Sequence, residues 1–275
     1  MLGFGLALAL LWVGPVLAEG AAGKGEAGGP VAEIALPGGG TCHVQGVTVM
    51  GERLFVTCVD RISRRALLLS YKLPSGFPAP TSALPEPERK DLTVGSMYHP
   101  SGLDHDGKCV WVAVANYRSF MARSKIMCLS PADLSEEKAF EVEDHIGGLA
   151  VMGETLLALN WDAKVVYRFS KDGQELGKDK SPGSVAYQDC QGVSDHEVLC
   201  SGPEKLPKKG KPAAVVELIG FDPLRKPAWK VEKQFRMVNV NTSVGNEGFA
   251  VSGPYWLFLP EDFPKARLIV YPRPE

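Results

Sequence analysis

His99-Pro-Ser-Gly102-Leu-Asp-His-Asp-Gly107-Lys-Cys-Val110-Trp-Val112 carries the spacing on which the fold turns. An apolar residue follows Gly102 directly, a second glycine stands five positions after it, and an apolar run begins at eight. That pattern describes two short strands joined by a tight turn. The same spacing starts at Gly46 (Val47, Gly51, Leu54-Phe55-Val56), Gly148 (Leu149, Gly153, Leu156-Leu157-Ala158) and Gly248 (Phe249, Gly253, Trp256-Leu257-Phe258). A fifth copy at Gly192-Val193 is two residues shorter; it turns through Ser194-Asp195-His196 and resumes at Val198-Leu199-Cys200.

Working outward, a third strand-like run follows each hairpin: Ala66 to Lys72, Lys125 to Leu129, Val165 to Phe169, Ala213 to Ile219 and Arg267 to Tyr271. A more polar fourth segment is clearest at Lys138 to Glu143 and Trp229 to Phe235. Repeats of about fifty residues, each a four-stranded antiparallel sheet, predict an all-β fold, a five-bladed β-propeller. A β-sandwich would not require anchors in register. The last repeat ends soon after its third strand, so Val31 to Leu36 is expected to supply its fourth strand and close the ring, which removes an exposed sheet edge. No long run has the 3.6-residue period of a helix. Two insertions, the Pro-rich Pro74 to Pro87 and the basic Pro203 to Pro212 (Lys205, Lys208, Lys209, Lys211), read as solvated loops.

The chain opens on an apolar run, Met1 to Val13, with no charged side chain before Glu19 and a small-residue pattern at Val16-Leu17-Ala18. Residues 1–18 therefore read as a signal peptide, 19–30 as a flexible linker and 31–275 as a single propeller domain. The apolar run is short for a membrane span, so no stable membrane insertion is expected after cleavage. A formal net charge of −2 offers no basic excess for nucleic acid. The expected location is periplasmic or extracellular. The six cysteines then favour disulfides, and their positions suggest Cys42–Cys58, Cys109–Cys128 and Cys190–Cys200. Buried free thiols are the alternative.

Three residues before the anchor glycines stand His43, His99, His145 and Asp189, with Gly245 in the fifth repeat. Inner strands of a propeller line its axis, so these side chains are expected to converge at one mouth. Three imidazoles and a carboxylate there would suit zinc, iron or manganese. Glu247, one residue before its anchor, is a candidate general base. Fourteen residues after the anchors stand Asp60, Asn116, Asp162 and Asp262, with Glu204 equivalent in the shortened repeat. This ring could ligate calcium or contact substrate, and it could equally brace turns by bonding its own backbone. The substrate-binding candidates are Asp60, Asn116 and Asp262, with Tyr117, Arg118, Trp161 and Glu261 along the rim. No Gly-rich phosphate loop, His-Glu-x-x-His or Gly-x-Ser-x-Gly is present.

The motifs His99-Pro-Ser-Gly-Leu-Asp-His-Asp-Gly, Asp144-His145-Ile-Gly-Gly, Tyr187-Gln-Asp-Cys190, Leu199-Cys-Ser-Gly202 and Phe258-Leu-Pro-Glu-Asp262 resemble an uncharacterised family of bacterial exported propeller proteins. More distantly the blades resemble gluconolactonase-like and NHL-type propellers. The first blade, His43-Val-Gln-Gly-Val with Gly51, also resembles blades of plant-type glutaminyl cyclases, which are five-bladed. Three functions are open: a metal-dependent hydrolase or lactonase on a small polar substrate; a non-enzymatic module binding a small polar molecule or a protein; and a glutaminyl-cyclase-like transacylase. A monomer is expected.

Overall fold

The structure, a computed structural model, describes residues 23–26, 29–78, 82–117, 120–183, 185–204, 213–237 and 244–274. The signal-peptide segment, Arg118 and the Lys205–Lys211 cluster lie outside the described residues. Five antiparallel sheets are arranged in chain order. Blade one holds His43–Met50, Arg53–Asp60, Arg65–Lys72 and Glu88–Asp91; blade two holds His99–His105, Val110–Ala115, Ser124–Leu129 and Glu136–Val142. Blade three comprises Ile146–Met152, Thr155–Asn160, Val165–Ser170 and Glu175–Lys180. Blade four comprises Asp189–Gly192, Glu197–Pro203, Ala214–Phe221 and Trp229–Met237. Gly248–Ser252, Tyr255–Leu259 and Arg267–Pro272 form blade five, and Ala32–Ala35 completes it by pairing with Arg267–Pro272. The expected closure of the ring is thus the observed one.

The second strands explain why the sheets stack radially. Along Arg53–Asp60, Leu54, Val56 and Cys58 face the core shared with blade five, while Phe55 faces the core shared with blade two. Period-two alternation with both faces apolar buries a strand between two neighbours. Three further blade-to-blade contacts repeat this, so the apolar core is a ring of five clusters. Gly51, Gly153 and Gly253, which open two-residue hairpin turns, and Gly107, in the four-residue turn of blade two, all have positive φ.

All three disulfides pair as expected within blades. The linker reading is modified: Gly23–Glu26 pairs in parallel with the outer strand of blade four, Gly23 opposite Lys233. The Pro-rich insertion also does more than loop out. Ala35 N–H donates to Ser82 O and Leu84 N–H donates to Ala35 O, so this segment covers the edge of the closing strand.

Candidate functional site

The axis is plugged. Asp189, fully buried on blade four, accepts the backbone N–H of Val47 (blade one) and of Phe249 (blade five), each at 3.0 Å, and that of Cys190. Asp104, on blade two, accepts the N–H of Val151 and of Gly192, each at 2.8 Å. Gln191 donates to Leu103 O and accepts from the Thr48 hydroxyl. Such close approach needs glycine. A Cβ on Gly102 would lie 2.2 Å from Asp189 Oδ1, and one on Gly192 would lie 1.6 Å from Val151 O. Burial pushes the Asp104 carboxyl up to about 7 and that of Asp189 well above its usual range, against the pull of these amides.

Above this plug, a pocket of about 160 Å³ opens at the mouth formed by the starts of the inner strands and the ends of the second strands. His43, His99, Tyr117, Trp161 and Glu247, all expected there, line it. Gln45, Arg61, Tyr187 and Gln188 line it too. In blades one, two and three the ladder shifts register just ahead of or at the anchor glycine, between Val44 and Gly46, Pro100 and Leu103, and Ile146 and Gly148. Bulges of this kind re-aim side chains, and Gln45, the bulged residue of blade one, is one that reaches the pocket.

One wall is aromatic. Trp161 stacks on His145 with ring centres 4.2 Å apart, and the Tyr117 ring meets His99 edge-on at 4.3 Å. His99 Nδ1 and His145 Nε2 share a hydrogen bond of 2.9 Å, and His145 Nδ1 donates to Asn116 O at 2.8 Å. Burial, reinforced at His99 by the neighbouring His145, His43 and Arg61, lowers His99 to about 3. Burial likewise lowers His145 to about 4, so both imidazoles are neutral at pH 7. On the opposite side His43 Nδ1 bonds Asp262 Oδ1 at 2.7 Å, while His43 Nε2 lies 3.9 Å from Glu247 Oε1. Burial, followed by the charge of Asp262, pushes Glu247 up to about 8 even though Arg61 pulls it down. Tyr187 donates its hydroxyl to the buried Glu217, which also accepts from Gln234 at 2.6 Å. That bond fixes the ring against the pocket.

The residues expected as metal ligands are not brought together. Asp189 spends its oxygens on backbone amides at the axis, His99 and His145 bond each other, and His43 is turned to Asp262. Among the described residues, the one group of three His, Cys, Asp or Glu ligand atoms within 4.8 Å is Cys109, Cys128 and Glu137. Its two sulfurs are joined in a disulfide. The donor set at the mouth, as arranged, does not fit zinc, iron, manganese or calcium.

The expected ring of Asp and Asn mostly braces turns. Asp60 accepts the N–H of Ile62 and Ser63, and Asn116 bonds Met121 O and Arg123 N–H. Asp162 pairs with Lys164 and Glu261 with Arg267, which turns both toward surface partners. The residues that follow the braces, Arg61 and Tyr117, are the ones that reach the pocket.

A family of unknown function (DUF6454) matches residues 89–266. The chain belongs to that family. No curated protein matches this DUF6454 sequence. Among solved structures, it is similar to a glutaminyl cyclase of Myxococcus xanthus, with a TM-score of 0.61 and 12% identity over 93% of this chain and 100% of that one. A Bacteroides caccae protein of unknown function gives a TM-score of 0.46 at 11% identity, covering 81% of this chain and 72% of that one. At these identities the likeness to the cyclase shows a shared fold. Among the described residues no helix is long and apolar enough to cross a membrane.

Proposed function

We propose that this protein is an enzyme in which Glu247 transfers protons on a small polar carbonyl substrate, with amide transfer and release of ammonia as the reaction class. The observation that carries the reading is Glu247 itself: a half-buried carboxyl in a pocket mouth, pushed up to about 8, hence largely protonated at neutral pH. A group poised there can donate a proton and take one back near the operating pH. It serves first as an acid rather than as the base expected from its position alone.

In amide transfer an amine nitrogen attacks a carboxamide carbon, the new C–N bond forms, and the C–NH₂ bond breaks. The departing nitrogen needs a proton and the attacking nitrogen must lose one. One carboxyl lying between them supplies both through its two oxygens. The stacked, neutral imidazoles of His99 and His145 with Trp161 form a rigid wall that would hold the substrate and exclude water. The fold shared with a glutaminyl cyclase supports this class over hydrolysis at a metal. Three disulfides support export to an oxidising compartment, periplasmic or extracellular.

The test is ammonia release from glutaminyl compounds and small carboxamides, with Glu247→Gln beside the wild type. The variant is expected to lose about 10²–10⁴-fold in rate, the usual worth of a proton-transfer group. Equal rates in both proteins would reject the reading. Ligand binding without ammonia release from any substrate would favour a non-enzymatic binding module, for which the rigid aromatic wall is also suited.

A further inference from the structure

We propose that Arg61 and Tyr117 form a carboxylate-binding subsite at the pocket mouth, so that the substrate is a small carbonyl compound bearing a free carboxylate. The substrate assignment rests on the acid–base reading of Glu247; the subsite itself does not.

Arg61 is the one Lys or Arg lining the pocket. Among the described residues no carboxylate lies within ion-pair distance of it, whereas Arg53, Arg225, Arg236 and Arg267 each hold a carboxylate at 2.8 Å or less. Beside it the Tyr117 hydroxyl is buried without a hydrogen-bond partner. An unmet buried donor is costly and rare enough to need a reason. Burial pushes the Tyr117 hydroxyl above its ordinary range, and the Arg61 guanidinium, close enough to the phenol oxygen to pull it back, leaves the O–H itself free to donate. A planar fork with a hydroxyl donor beside it matches the two oxygens of a carboxylate.

The turns that carry both donors are braced before any ligand arrives. Arg61 follows Asp60, whose carboxylate ties down Ile62 N–H, Ser63 N–H and the Ser63 hydroxyl. Tyr117 follows Asn116, whose amide spans its loop to Met121 and Arg123. The two stand at one repeat position, fifteen residues after Gly46 and Gly102, on adjacent blades. Preorganised donors lose little entropy on binding. At about 160 Å³ the pocket is smaller than the roughly 300–1,000 Å³ of drug-sized ligand sites, which suits a small molecule or a terminal group. With its carboxylate on Arg61 and Tyr117, such a molecule would present its remaining atoms to Glu247, the one carboxyl of the lining.

The probe is acetate, with acetamide as its neutral counterpart and phosphate as a second oxyanion, each titrated at constant ionic strength. Trp161 reports binding, because it is 49% exposed at the mouth while Trp111, Trp229 and Trp256 are buried. Acetate is expected to change the fluorescence saturably and acetamide is not. Arg61→Gln should weaken acetate at least about tenfold, Arg61→Lys less, and Tyr117→Phe severalfold. Lys138→Gln, which removes a positive charge on the outer strand of blade two, should bind acetate as the wild type does, and because binding is read without turnover its outcome is separate from that of the acid–base reading. Absence of saturable acetate binding, equal binding by Arg61→Gln, equal binding of acetamide, or a clear preference for phosphate would overturn the assignment.

Discussion

Asp189 and Glu247 are carboxylates at the starts of inner strands in adjacent blades, three and one residues before their anchor glycines. Both are pushed up by burial, yet their surroundings differ in kind. Asp189 sits at the axis, where Gly46 and Gly102 leave room for it to reach the amides of Val47 and Phe249 on two other blades. Glu247 sits a little further out, beside imidazole and aromatic rings, and its one ion-pair contact among the described residues is His43 at 3.9 Å. A carboxylate whose oxygens are spent on backbone holds blades together. One left without strong partners in a pocket is available for chemistry. Repeat position alone does not separate the two roles; the partners do.

The axial half of this comparison predicts the largest effect. In Gly192→Ala the new methyl group meets the Val151 carbonyl at 1.6 Å, a backbone atom that cannot swing away. A loss above about 4 kcal/mol, seen as absence of a cooperative melt, is expected. A native melting temperature would show that the axis is not tightly closed. Glu247→Gln comes next, with the rate loss given above and a stability change of less than about 1 kcal/mol, because an amide replaces a neutral carboxyl of the same shape. Asp189→Ala should show the reverse. It leaves the Val47 and Phe249 N–H groups unmet and costs about 3 kcal/mol by chemical denaturation, with the mouth residues intact.

The smallest effect concerns pH. His145 is held at about 4 in the fold, below the roughly 6.5 of an unfolded chain. The unfolded state therefore takes up the proton first as pH falls. Relative to His145→Gln, the wild type should lose about 2–3 kcal/mol between pH 6.5 and 4, and almost nothing above pH 7. Parallel stability curves for the two proteins across that range would contradict the neutral, buried imidazole.

The blades were legible in the sequence because glycine, apolar run and turn recur at fixed offsets, and those offsets are the hairpin itself. The closing strand was legible because the fifth repeat lacked one. Tyr117, Trp161, His43, His99 and Glu247 line the pocket at one end of the blades, the end that a repeat position fixes. What the repeat does not encode is which partner a side chain meets. Asp189 aligned with the histidines, and only the bare backbone left by Gly46 and Gly102 draws it to the axis. Nothing in the sequence marks Arg61. Its place beside Tyr117 exists only once blades one and two are side by side.

The central claim is a protonated Glu247 at neutral pH. Its most direct test is a ¹³C NMR titration of the side-chain carboxyls, with Glu247→Gln identifying the signal by its loss. A midpoint near about 8 is the predicted result. A midpoint at the ordinary glutamate value, about 4.3, would contradict the account and leave the mouth without its acid.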